Sequence, residues 1–266
     1  GYDVVAYWSR SAIETQIFPY DGWLRPFPYG AGDHPSGMAL YAAVMTALYQ
    51  RQQTGEGSKV STSLLANGAW ANSVMLQAQL AGAQFREPRP RHDSYNFISL
   101  HYPTKDERLM KLCIVNFKKN WKPFCKAIGR SDFPDDERYA TPEAPAENMS
   151  SLIHEITEAF KTQNVDYWDR ALKEADIPHA VVPTYEEAVD DEQKKANDII
   201  IPLDHPSEGK MRTVNSPFQV SSAEKIKPGA APKLGEHTVE VLEQIGYSEE
   251  AIRKMFDDCV IEKPVS

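Results

Sequence analysis

The sequence predicts a mixed α/β or α+β fold, and three observations carry that reading. Segments with apolar residues at helical spacing alternate with short apolar runs suited to strands. Glycine and proline punctuate the joints between them. At 266 residues, the chain is long enough for one large domain or two modest ones with real cores. No run of about 18 apolar residues occurs, so no membrane-spanning helix is expected.

Along the chain, residues 3–17 suit a short helix and residues 18–32, rich in Pro, Gly and aromatics, a loop. From Pro35 a helical period takes over, with Met38, Tyr41, Met45 and Leu48 in register and Leu40, Val44 and Ala47 on the flank. The glycines of "TGEG" end that helix. "KVSTSLL" alternates in the manner of a strand, and Ala66 to Leu80 reads as a second long helix closed by Gly82. "FREPRPRHDSYN" then reads as a linker, with Arg86, Arg89 and Arg91 either solvated or touching phosphates.

A smaller unit follows. Leu109 to Val115 is a candidate strand, and Asn120 to Ile128, Asn148 to Lys161 and Asp166 to Ala175 are candidate helices, the last capped by Asn164. Trp121, Trp168, Phe117 and Phe124 are its expected core. "IPHAVVP" reads as a buried strand in which His179 is a satisfied core histidine. Thr184 and Glu187 have capping-box spacing. Ile199 to Leu203 and Met211 to Val214 form a hairpin across "SEGK", and Thr238 to Phe256 is one or two amphipathic helices with His237 ordering their start.

Net charge is −9. An acidic chain argues against nucleic-acid binding, which calls for a basic face. The three cysteines, Cys113, Cys125 and Cys259, make neither a metal pattern nor a disulfide framework, so a reducing cytoplasm is expected. The opening at Gly1, without methionine or a signal-peptide pattern, is read as a trimmed chain or a fragment.

The stretch "GAGDHPSGMA" poses the functional question. It fits a G-x-x-x-x-G frame, but Met38 and Ala39 stand where a phosphate loop needs Lys and Ser or Thr. Gly30, Gly32 and Gly37 are misspaced for a dinucleotide fingerprint. There is no G-x-S-x-G elbow and no H-E-x-x-H pair. Spacing alone leaves Asp33 as a helix cap or a reactive carboxylate. Ser36, His34 and Pro35 lie closer to the first turn and weaken the cap reading, while a helix start favours a charged carboxylate.

Three stretches together resemble the family III CoA-transferases, the formyl-CoA and carnitine CoA-transferase group. "GDHPSGMALYAAVMTALYQRQQTGEGSKVSTSLLANGA" is similar to the family's catalytic-aspartate segment, with Arg51, Thr54, Gly55, Gly57, Ser63, Leu64 and Leu65 matching its pattern. "ERYATPEAPAEN" resembles a small-domain stretch, and "PKLGEHTVEVLEQIGYSEEAI" resembles the C-terminal P-x-L-G-E-H-T signature. The matches run from Asp33 to Ile252 in order, over nearly the whole chain.

The resemblance implies a fold and a chemistry. A Rossmann-like large domain is built from both ends of the chain, here residues 1–90 and 225–266. Residues 91–224 supply linkers and an inserted small α+β domain. Two chains interlock as a dimer. A homodimer is therefore expected, and because the family's N-terminal Rossmann half precedes the position of Gly1 and is not in this chain, a partner chain supplying that half is an alternative. Asp33 is the nucleophile that attacks an acyl-CoA thioester to form a mixed anhydride, splitting a hard transfer into easier steps. Gly32 lets the thioester approach, and Leu64, Tyr2 and His34 are the other residues expected to bind the CoA. Coenzyme A and a carboxylic acid are the substrates, with no metal, no nucleic acid and no membrane partner. The glycine-rich loop of the formyl-CoA branch is replaced by "FISLHYPTKDER", which disfavours oxalate. Two alternatives stay open: a racemase or epimerase of the same family, disfavoured because Tyr2 replaces the histidine base, and a non-catalytic subunit or fragment.

Overall fold

The computed structural model describes residues 1–17, 27–98, 100–114, 116–140 and 146–262. Most of the loop expected at 18–32, part of "ERYATPEAPAEN" and the end of the strand expected at 109–115 lie outside these residues. The chain divides into two compact units, Gly1–Val182 and Pro183–Ser266.

The first unit opens with a π-helical turn, Val4–Ser9, in which the Arg10 N–H reaches the Val5 carbonyl at 3.1 Å. Helix α1, Ile13–Ile17, follows after Ala12 turns the chain at φ 63°. Helix α2 spans Asp33–Thr54 and ends at Gly55, whose φ of 80° lets its N–H return to the Arg51 carbonyl. The expected "KVSTSLL" strand is absent. No described strand lies alongside to satisfy its backbone, and the Ser63 hydroxyl instead caps α3, Leu64–Ala71, by accepting from the Ala66 N–H at 3.1 Å. The single helix expected over 66–80 is two, α3 and α4 (Ser73–Leu80). It breaks at Asn72, whose side-chain amide donates to the Ser11 carbonyl at 2.9 Å.

The hydrophobic core lies between Phe97 and Ile177. Strands β1 (His101–Pro103), β2 (Leu109–Leu112) and β3 (His179–Val181) form an antiparallel sheet in that order, with Tyr102 opposite Met110 and Met110 opposite Val181. Helices α5 (Phe117–Ala127), α6 (Ala146–Phe160) and α7 (Val165–Glu174) complete the unit. Residues 120, 121, 124 and 125 of α5 recur at helical spacing and are buried. Trp121 stacks on Phe117 and Phe133, and Phe160 packs between Tyr102 and Trp168. The expected aromatic core is therefore present. Strand β3 is shorter and more exposed than expected, because it is the sheet's edge. His179 is a satisfied core histidine: Nδ1 lies 2.7 Å from the Ile177 carbonyl and Nε2 3.1 Å from Asp169.

The second unit contains α8 (Tyr185–Asp190), α9 (Glu192–Ala196), the hairpin β4 (Ile200–His205) and β5 (Gly209–Val214), α10 (Thr238–Gln244) and α11 (Glu249–Asp257). The Thr184–Glu187 capping box is formed in full, and the hairpin pairs Ile200 with Val214. Among the described residues no helix is long and apolar enough to cross a membrane.

Two outcomes test this fold. Phe124 is fully buried, so Phe124→Ala should cost about 3–5 kcal/mol, read from the urea midpoint. Asp136 accepts from the side chain and backbone N–H of Arg138, which hold its carboxyl down from 3.8 to about 2. A depressed carboxylate stabilises the fold above its unfolded value and loses that contribution as pH falls through the folded one. Asp136→Asn should therefore flatten the fall in urea midpoint between pH values of about 4 and about 2.

Candidate active site

The site is built around the peptide that precedes Asp33. Gly32 has φ −94° and ψ −29°, so the backbone is already helical there and no side chain caps the helix. Asp33 is consequently the first residue of α2 and not its cap. Its side chain is exposed, and among the described residues nothing hydrogen-bonds or pairs with the carboxylate.

Gly32 itself is held on three sides. Its N–H donates to Oδ2 of the buried Asp3 at 3.0 Å. Its carbonyl accepts from the hydroxyl of buried Ser36 at 2.8 Å and from the Ser36 N–H at 3.3 Å. The Tyr7 ring covers the third side so closely that a Cβ on residue 32 would lie 2.6 Å from its Cγ. Only glycine fits there.

The π-helical turn carrying Asp3 and Tyr7 is anchored on its far side by α3. Gly68 meets the Tyr7 carbonyl and Ser11 so tightly that a Cβ there would overlap both. Ser11 Oγ also donates to the Tyr7 carbonyl. Trp8 stacks flat on Phe27, with ring centroids 4.1 Å apart.

The residues singled out in the sequence are placed as follows. Gly32 and Asp33 adjoin the Asp3 bond. His34 is exposed in the first turn of α2, its N–H donating to the Gly30 carbonyl at 2.9 Å, and Gly30 makes that turn with φ 73°. Tyr2 immediately precedes Asp3 and is 83% exposed. Leu64 is partly buried one helical turn ahead of Gly68, so it joins the group only through the packing of α3 on the π-helical turn. The arginines of "FREPRPRHDSYN" are exposed, in keeping with a solvated linker, and each has an intramolecular contact. Arg86 and Arg89 lie over the Tyr95 ring at 4.8 and 4.2 Å, and Arg91 donates to the His101 carbonyl at 2.7 Å. Sequence reading missed Asp3, Tyr7, Ser36 and Gly68. The one available signal was that Ser36 follows Asp33 by three residues in a first helical turn. Among the described residues no three metal-ligating side chains converge.

A family model described as CoA-transferase family III matches residues 1–238. The chain is 31% identical over 263 residues to an (R)-2-hydroxy-4-methylpentanoate CoA-transferase of Clostridioides difficile, covering 98% of this chain and 65% of that protein. It is 31% identical over 265 residues to a cinnamoyl-CoA:phenyllactate CoA-transferase of Clostridium sporogenes, covering 97% and 63%. The chain thus spans just under two thirds of the length of these curated relatives. Among solved structures, a CAIB/BAIF family protein from Brucella suis superposes with a TM-score of 0.74 at 21% identity, over 92% of this chain and 63% of that one. Rv3272 of Mycobacterium tuberculosis gives 0.72 at 21% identity, over 90% and 63%. These likenesses show the fold alone.

The packing predicts opposite outcomes for two glycines. Gly68→Ala should destabilise by about 1–3 kcal/mol, because the new methyl group meets backbone. Gly37 lies in α2 with open space around it, and Gly37→Ala should stabilise by up to about 1 kcal/mol. Urea midpoints of the two variants check both signs.

Proposed function

The chain belongs to CoA-transferase family III, and on that footing we propose that it moves coenzyme A from an acyl-CoA donor to a carboxylic acid, with Asp33 as the reacting carboxylate. The observation that carries this reading is an exposed Asp33 side chain, without a partner among the described residues, on a backbone fixed by Asp3, Ser36 and Tyr7. A nucleophile needs that combination of a free side chain and a fixed origin.

In the proposed reaction an Asp33 oxygen attacks the thioester carbonyl. The C–S bond breaks, CoA leaves as thiolate and a mixed anhydride forms. The thiolate attacks the aspartyl carbonyl, releasing the donor acid and leaving an aspartyl thioester. The acceptor carboxylate then displaces CoA to form a second anhydride. Attack of the thiolate on the acceptor's acyl carbon yields the new acyl-CoA and returns Asp33. Gly32 would let the thioester lie close to the backbone, and Tyr2, His34 and Leu64 would border the CoA. The proposed acceptor class is the 2-hydroxy monocarboxylates, supported by the two 31% identical relatives named for such acids.

The chain would act as a homodimer in the cytoplasm. Support for cover by another polypeptide comes from α2, whose middle stretch leaves Met38, Val44 and Met45 exposed, since contiguous exposed apolar surface marks contact sites. The three described cysteines are all free, in keeping with a reducing compartment.

The test is chemical trapping. The full chain, incubated with acyl-CoA candidates and then with hydroxylamine or borohydride, should carry its modification on Asp33 by mass spectrometry. Asp33→Ala should lower CoA transfer by about 10³-fold or more. An unlabelled Asp33, with Asp33→Ala as active as the parent, would overturn the mechanism. Solvent exchange of the proton beside the thioester without CoA transfer would identify a racemase instead. An acceptor panel should rank 2-hydroxy acids above oxalate.

A further inference from the structure

We propose that Asp3 is a positioning residue for the Asp33 carboxylate, acting through the Gly32 peptide, with Ser36 as its counterpart on the other side of that peptide. The inference rests on the reading of Asp33 as the reacting group and deepens it.

Asp3 is a carboxylate only 8% exposed. A buried charged group carries a desolvation cost that its partners must offset. The partner seen is the Gly32 N–H at 3.0 Å, 29 residues away in sequence. A hydrogen bond to a charged acceptor is among the stronger kinds. It spans the excursion from the π-helical turn to the head of α2.

The target of this bond is informative. Gly30, Ala31 and Gly32 lead into the helix, and glycines have the softest backbone of any residue. Left alone, this stretch would let the first residue of α2 drift. Asp3 fixes the peptide before Gly32, while the Ser36 hydroxyl fixes the peptide between Gly32 and Asp33 at 2.8 Å. Tyr7 closes the remaining side. Asp33 has no side-chain partner among the described residues, so its reacting oxygens are placed by these backbone restraints. Misplacement by about 1 Å at a reacting centre costs on the order of 10²-fold in rate.

A mere staple of the fold and a positioning device differ in what they move. Asp3→Ala removes the acceptor, whereas Asp3→Asn keeps an oxygen in the same place. In the full chain, Asp3→Ala should lower kcat for CoA transfer by about 10- to 100-fold. Its KM for acyl-CoA should change by less than about threefold, and the Gly32 amide should lose protection from hydrogen exchange. Asp3→Asn should recover most of the rate and of the protection. Ser36→Ala, which leaves Asp3 in place, should show the same kcat-selective loss at about 3- to 10-fold, and it carries the test if Asp3→Ala does not fold.

The proposal is overturned if folded Asp3→Ala keeps the parent kcat, if KM alone changes, or if Asp3→Asn is as impaired as Asp3→Ala. Asp33→Ala run alongside separates the two readings. If Asp33→Ala is inactive and Asp3→Ala is fully active, only the positioning role fails. If Asp33→Ala is active, the reading of Asp33 fails, and positioning of that carboxylate falls with it.

Discussion

Both peptides that flank Gly32 are held by side chains: Asp3 takes the N–H and Ser36 serves the carbonyl. The rest of the site follows from that restraint. For Asp3 to reach Gly32, the π-helical turn must lie against the head of α2. For it to lie there, residue 32 must have no side chain, because Tyr7 fills the space a methyl group would take. For the turn to stay there, Gly68 must admit α3 against its backbone on the other side, and Asn72 must bond the Ser11 carbonyl. Two glycines and three polar side chains hold the backbone from which one exposed carboxylate projects.

This is a different way of holding structure from that used between Phe97 and Ile177. There, aromatic and aliphatic side chains are enclosed and order comes from apolar burial. Arg130, over the Phe133 ring and bonded to Asp132 and Glu155, ties helices together at the edge of that core. Around Asp33 the buried residues are Asp3, Tyr7, Ser11 and Ser36, nearly all polar, and α2 keeps its apolar side chains outside. Close backbone approach and hydrogen bonds position the site, whereas burial stabilises the Phe97–Ile177 part of the same unit, which carries no candidate reactive group. The separation suits a nucleophile, which must stay accessible while its backbone stays still.

Much of the fold was legible from local pattern. The aromatic core, the Thr184 capping box, the β4–β5 hairpin and the Gly55 helix stop each rest on residues a few positions apart, so spacing reports them directly. Asp33 was singled out as a candidate through flanking motifs. What surrounds it was not legible. The Asp3–Gly32 bond and the Gly68–Tyr7 contact join distant residues, and neither leaves a periodic trace. Two local readings also failed for non-local reasons. "KVSTSLL" alternates like a strand but has no described neighbour to pair with, and Ser63 begins a helix instead. The helix over 66–80 breaks at Asn72 because its amide is engaged by Ser11, which no pattern within that segment could report.

The π-helical turn has a consequence for how this sequence can vary. Its Arg10-to-Val5 bond encloses one residue more than an α-helical turn would. Removing Val4, Val5 or Ala6 would relax it to an α-helix and swing Asp3 around the axis by about 100° relative to Tyr7. Substitution is another matter, since Val4 and Val5 face outward, 44% and 54% exposed. In descendants of this sequence Val4 and Val5 are free to change, but the length of the segment is not.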